Sequence, residues 1–228
     1  MSNWSDTLAV FDLETTGIDV ETSRIVSATV AVLDAMGHVT ERTDWLVNPG
    51  IEIPEQATAV HKITTQYAVE NGRNAADAVA EIVAALRVPL ALGIPLVAYN
   101  APYDLTLLNR EARRYGIAPL VSPTPVIDPL VIDKAVDRYR KGKRTLEAAS
   151  AFYQVVLDDA HDAGADAIAA GHVAQAIARV HAAALPATAE ALHDLQVTWS
   201  QEQAASFQSY MRRERDPQFV ANGSWPER

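Results

Sequence analysis

Five side chains in this sequence could do chemistry together: Asp12, Glu14, Asp104, His161 and Asp166. Asp12 and Glu14 close a short run of strand formers, 7–13 (TLAVFDL). Residues i and i+2 of a strand point to the same side, so the two acids are presented as a pair. Two like charges a few ångströms apart are costly unless a cation neutralises them. The pair therefore reads as a metal site, or as a solvated strand end that happens to hold two acids. The following Thr15-Thr16-Gly17 leaves room for a ligand backbone. Asp104 falls in the first turn of an expected helix, where an acid also serves the helix dipole. Asp158, Asp159, His161, Asp162 and Asp166 precede a long Ala-rich helix. Asp162 reads as its N-cap and Asp158 and Asp159 as loop acids, while the spacing lets His161 and Asp166 face one cleft. A histidine there can take a proton near neutral pH.

The elements that must position these residues follow from pattern. Strands are expected at 7–13, 24–33 and 38–47, the last two joined by a turn at Asp34-Ala35-Met36-Gly37. A helix is expected at 74–85, with Ala75, Val79, Ile82, Val83 and Leu86 on one face. A buried strand at 95–99 leads into a helix at 103–115, with Asn100 as cap and Pro102 near its first turn. Val126-Ile127 is a further short strand. From Thr145 the chain is helical, with one long helix at 165–184 and, after Leu185-Pro186, another to about Arg213. Leu192, Leu195, Trp199, Phe207 and Tyr210 give that last helix an apolar stripe. Residues 214–228 read as a loose tail that Trp225 could anchor. Strands first, then alternating helix and strand, indicate an α/β fold around a mixed sheet. The expected organisation is a domain over 1–184 and a C-terminal helix and tail over 185–228, packed on it or docking beside it.

The net charge of −10 argues against a protein that coats duplex DNA through Lys and Arg, but not against an enzyme handling one strand end through metal ions. With no cysteine, disulfides, zinc–thiolate sites and thiol nucleophiles are excluded. No secretory signal pattern is visible at the N-terminus. The most apolar stretch, 82–99, holds Arg87, Pro89 and Pro95, which make a poor membrane span. A soluble cytoplasmic location is the default expectation. The run Arg138, Arg140, Lys141, Lys143, Arg144 is the one dense basic segment; it reads as a guide for an incoming strand or as a solvated loop.

At these residues the sequence resembles the DEDDh 3′→5′ exonuclease superfamily, which includes the ε subunit of bacterial DNA polymerase III, ribonuclease T and oligoribonuclease. FDLETTG (11–17) is similar to its first motif, YNAPYDLTLL (99–108) to its second and HDAGADA (161–167) to its third. HKIT (61–64) is similar to the family's His-Gly-Ile-Thr element. The sister group places a Tyr four residues before the last acid. Here that position is Asp162, and His161 stands five before. The resemblance departs at Lys62, in place of the usual Gly, at Tyr99, in place of His, and at Tyr103, in place of Phe.

The resemblance implies a ribonuclease H-like mixed β-sheet flanked by helices with a helical C-terminal extension. It implies release of nucleoside 5′-monophosphates from nucleic-acid 3′ ends, of DNA in a proofreading or repair role, or of RNA in an oligoribonuclease-like one. It further implies two divalent ions, Mg²⁺ or Mn²⁺ given all-oxygen ligation, held by Asp12, Glu14, Asp104 and Asp166, with His161 as proton acceptor. Leu13, Thr15, His61 and Tyr103 would contact the terminal nucleotide. A DNA polymerase or repair protein is the expected partner beside the strand end, with no membrane. The alternatives of another class are a polymerase-associated subunit and a non-catalytic nucleic-acid-binding module.

Overall fold

The computed structural model describes residues 3–157 and 161–228, so Asp158 and Asp159 lie outside the described residues. Six strands form a mixed sheet: β1 (Leu8–Thr15), β2 (Ile25–Leu33), β3 (Val39–Asn48), β4 (Arg73–Asn74), β5 (Leu96–Val97) and β6 (Val126–Ile127), in the order β4-β3-β2-β1-β5-β6. β1 pairs antiparallel with β2 and parallel with β5. The turn at 34–37 is as expected: Asp34 Oδ1 accepts the Met36 and His38 amides, and Gly37 takes the left-handed conformation at φ 83°.

β1 is buried on both faces, which explains its continuous apolar run. Ala9, Phe11 and Leu13 face one layer, with α3 (Ala75–Ala91) and α4 (Ala101–Arg114). Leu8 and Val10 face the other, with α7 (Ala163–Val180), α6 (Leu146–Tyr153), α5 (Pro129–Val136) and the start of α8 (Ala189–Glu214). The result is an α/β/α sandwich with the expected mixed sheet at its centre. Alternation places Asp12 and Glu14 on the Leu8/Val10 face, toward α7. α7 reaches β1 closely because its residues are small. A Cβ at Gly171 would lie 2.4 Å from Leu33 Cδ1 and 2.6 Å from Val10 Cγ1.

Several boundaries differ from expectation. β1 runs on through Thr15, so both acids lie inside the strand. α3 continues through Pro89 to Ala91, where a proline near the helix end interrupts little of the ladder. α7 starts at Ala163 because Asp162 caps it, accepting the Ala165 amide at 3.0 Å as expected, and it ends at Val180. Two seven-residue helices, α1 (Glu55–His61) and α2 (Thr65–Asn71), and α5 have no counterpart in the expected elements; none is long enough to set up a clear period. The α8 stripe is only half covered: Leu192 is buried and Trp199 packs on the core, whereas Leu195, Phe207 and Tyr210 are exposed. The tail is packed rather than loose. Phe219 meets Phe207 edge-on with centroids 5.4 Å apart, and Trp225 is buried with its ring 4.9 Å from His193.

Asn100 is the N-cap of α4, but its side chain makes no capping bond. A fully buried acid does that work. Asp128 caps α5 through the Leu130 amide and also accepts the Asn100 and Ala101 amides at 3.0 Å each, so it fixes the start of α4. Its own amide donates to Gln196 Oε1 of α8 at 2.6 Å, and Gln196 in turn donates to the Val126 carbonyl. Asp128→Ala would strand three amides, that of Ala101 buried and those of Asn100 and Leu130 partly buried, and should lower stability by about 3 kcal/mol in urea unfolding. A loss below about 1 kcal/mol would show that water satisfies these amides instead. Lys62 follows α1 at φ 63°, the left-handed region where glycine is preferred, and its ammonium folds back on the Ala59 carbonyl. Lys62→Gly should raise stability on the order of 1 kcal/mol, and unchanged or lower stability would contradict this account.

Candidate active site

The sequence-predicted acids converge where β1 leaves the sheet. Glu14, His161 and Asp166 each offer a ligand atom, and these atoms lie within 4.8 Å of one another. Asp104, from the first turn of α4, is buried and accepts the Leu13 amide through Oδ1 at 3.2 Å. That bond ties the acid of one layer to the backbone that carries Asp12 and Glu14. Burial is the largest influence on each of the four carboxyls. It pushes Asp12 well above the usual carboxylate range, and Asp104, Glu14 and Asp166 push it further. Asp104 is likewise raised by burial, with Asp128 and Glu14 adding to the effect. Burial and the charge of Asp166 push Glu14 up to about 8, and Asp166 itself is raised by burial.

These acids repel one another, and at Asp166 the pull of His161 works against that repulsion. Among the described residues, Asp166 Oδ1 is buried without a hydrogen-bond partner. An orphaned oxygen in a cluster of raised carboxyls fits a divalent cation. The donors are carboxylate oxygens, the hard ligands that Mg²⁺ and Mn²⁺ take.

His161 sits at φ 72° just before the Asp162 cap, and its amide donates to Asp166 Oδ2 at 3.3 Å. Its imidazole is exposed, with Nε2 3.7 Å from Glu147 Oε1. The four residues expected at the nucleotide fall beside this cluster. Tyr103 Oη donates to the Gly17 carbonyl at 2.6 Å and meets Thr15 Oγ1, which also bonds the Gly17 carbonyl. Leu13 is buried, so its backbone rather than its side chain is at the site. His61 is buried and accepts the Ile63 amide at Nδ1, while Nε2 has no partner. Burial pushes its imidazole below the ordinary value, against the pull of the nearby Thr15 backbone.

Two residues at the site escaped sequence reasoning. Asp128 holds the α4 start that carries Asp104. Its only sequence signal is an acid just before Pro129, the mark of an ordinary helix start. Glu147 lies beside His161, but in sequence it is one more acid in a first helical turn after Thr145. The basic run does not act as one patch. Arg140 and Arg144 turn inward onto the fully buried Asp133 at 2.5 and 2.7 Å, while Arg138, Lys141 and Lys143 stay exposed. Among the described residues no helix is long and apolar enough to cross a membrane.

Comparison with known proteins agrees with this geometry. The RNase_T family model, described as Exonuclease, matches residues 9–174. A DNA polymerase III PolC-type protein of Lacticaseibacillus paracasei is 28% identical over 74% of this chain and 11% of its own length. A DNA polymerase III subunit epsilon-like protein of Rhodobacter capsulatus is 36% identical over 57% of this chain and 18% of its own. The chain thus spans only a tenth to a fifth of the length of these curated relatives. Among solved structures, E. coli Exonuclease I in complex with a dT13 oligonucleotide shares the fold, with TM-score 0.62 and 19% identity over 78% of this chain and 43% of that one. The nuclease domain of 3′hExo, a DEDDh family member bound to rAMP, does so with TM-score 0.64 and 14% identity over 77% of this chain and 92% of that one. The chain belongs to the RNase_T exonuclease family and shares the fold of these nucleases.

Proposed function

We propose that the chain is a divalent-cation-dependent 3′→5′ exonuclease that releases nucleoside 5′-monophosphates, with DNA as the favoured substrate. The observation that carries this reading is the convergence of Glu14, His161 and Asp166 on one point beside the Asp104–Leu13 tie. The preference for DNA rests on the polymerase III names of the relatives. An RNA reading is favoured by one observation: the fold is shared with a 3′-exonuclease whose structure concerns histone mRNA stem-loop recognition. Action beside a DNA polymerase, and residues 185–228 as an extension of the nuclease domain, belong to the same proposal.

In this reading Asp12, Glu14, Asp104 and Asp166 would together hold the divalent ions, Mg²⁺ or Mn²⁺. Such ions supply charge neutralisation and Lewis-acid activation of the phosphodiester and of the attacking water. The chain's own groups do the rest. The His161 imidazole takes the proton of the water, with Glu147 beside it to orient the ring. Thr15 and Tyr103 hold the turn against which the terminal sugar rests, and His61 is buried beside the Thr15 backbone.

Digestion of 5′-labelled single-stranded DNA, duplex DNA and RNA with Mg²⁺ and with Mn²⁺ tests the reading. Asp12→Ala and Asp104→Ala should fall to the background of a heat-inactivated control, and turnover at wild-type rate by Asp12→Ala would sink the assignment. His161→Ala should slow turnover about a hundredfold or more with cation affinity unchanged. A loss of cation affinity instead would make His161 a ligand.

The raised acids also set a pH dependence. Each keeps its proton longer in the folded chain than in the unfolded one. Between the ordinary carboxylate range and about pH 8, set by Glu14, the native state binds more protons, so the cation-free protein loses stability as pH rises. Above that window the contribution of Glu14 vanishes. Saturating Mg²⁺ should flatten the slope, leaving the smaller one of the structural acids Asp128 and Glu111, which are also raised by burial. Melting temperatures across that window, with and without Mg²⁺, check this. Parallel curves would mean that the cation does not bind the cluster.

A further inference from the structure

The uncovered half of the α8 stripe lines a groove. Its opposite wall is α5 and the loop that follows it. The groove measures about 530 Å³, with Trp199, Phe207 and Tyr210 on the α8 side and Lys134, Arg138 and Arg140 facing them. Phe207 and Tyr210 are 51% and 45% exposed, although Phe207 also meets Phe219 and Arg213 lies over the Tyr210 ring. A second hollow of about 190 Å³ shares Lys134, Gln203 and Phe207 with it and is lined as well by Asn100, Pro102 and Asp128. Asn100 and Pro102 are the cap and first turn of α4, the helix that carries Asp104.

Charge selects the occupant. In a chain of net charge −10, residues 133–144 carry six Lys or Arg against two Asp. Asp133 receives two guanidiniums, and Arg140 also lies 3.9 Å from the centre of the Phe152 ring, which fixes it in place. Among the described residues, Glu202 is the one acid lining the main groove, against four cations. With Arg140 and Arg144 already paired to Asp133, Lys134 and Arg138 are the cations left facing the aromatic side, an arrangement that matches an unpaired nucleic-acid strand, whose phosphates pair with cations and whose bases stack irrespective of sequence.

We propose that this groove carries the single-stranded segment that trails the 3′-terminal nucleotide. This rests on the exonuclease reading above and adds a path for the rest of the strand. The site at Asp12 would engage the end, and the α5–α8 groove would supply affinity that grows with strand length.

The test compares dT4 with dT16 in Mg²⁺, using wild type, Phe207→Ala, Arg138→Ser and the conservative Phe207→Tyr. Wild type should show a lower KM for dT16. Phe207→Ala should raise the dT16 KM about five- to tenfold while leaving dT4 unchanged, and Phe207→Tyr should restore it. Arg138→Ser should reduce the slope of log KM against log salt for dT16 by about 0.7. Equal KM for the two lengths in wild type, or equal effects of the variants on both, would overturn the proposal. So would a variant that shifts the protein from dimer to monomer in gel filtration, since the groove would then be a contact between copies of this chain. Anisotropy of labelled dT16 in Ca²⁺ reads the groove without turnover. Length-dependent binding without cleavage in any metal would sink the exonuclease reading and support the groove. Cleavage with length-independent binding would sink the groove alone.

Discussion

Like charges gathered at the end of a strand repel, and burial raises the cost of each one. Asp12, Glu14, Asp104 and Asp166 are all raised by burial, and what opposes it is backbone hydrogen bonding at Asp104 and at Asp166, with His161 beside the latter. The repulsion must be resisted from two sides, and the fold supplies both. On one face α7 is pressed onto β1 through Gly171 and a run of alanines. On the other, Asp104 is fastened to the Leu13 amide, and the helix that carries it is fastened to Asp128. Without these ties the cheapest response would be to move the acids apart or to protonate them.

The ties also connect the C-terminal helix to the site. Gln196 of α8 bonds the Asp128 amide and the Val126 carbonyl, Asp128 holds the start of α4, and α4 holds Asp104. The family match ends at residue 174, yet α8 lies two hydrogen-bonded steps from the helix bearing a catalytic candidate. The tail reinforces the same region: Trp225 packs near Asp128, and the Arg228 amide donates to Thr106 in α4. A support of this kind is built from buried polar groups that must all be satisfied, which makes it rigid.

Much of this was legible from the sequence. The strand period put Asp12 and Glu14 on one side, the Asp162 cap fixed the start of α7, and three motifs in order pointed to one cleft. What was not legible depends on contacts distant in sequence. Asp128 reads as an ordinary cap because its second set of bonds goes to residues 27 and 28 positions away. Arg140 and Arg144 read as surface charges because nothing local shows that Asp133 would be fully buried beneath them. The seven-residue helices α1 and α2 are shorter than the window in which a helical period can be recognised. The α8 stripe announced an apolar face but not which half would be covered.

Gly171 sets a distance as well as allowing one. With hydrogen in place of a side chain, α7 rests directly on the methyl groups of Val10 and Leu33, so those methyls act as the ruler for the gap between helix and sheet. Asp166 lies five residues along the same helix, roughly 7.5 Å away at 1.5 Å per residue. A rigid helix transmits tilt, so the separation of Glu14 from Asp166 is gauged by contacts at a point that touches neither acid. The precision of the cleft is thus calibrated from inside the hydrocarbon core.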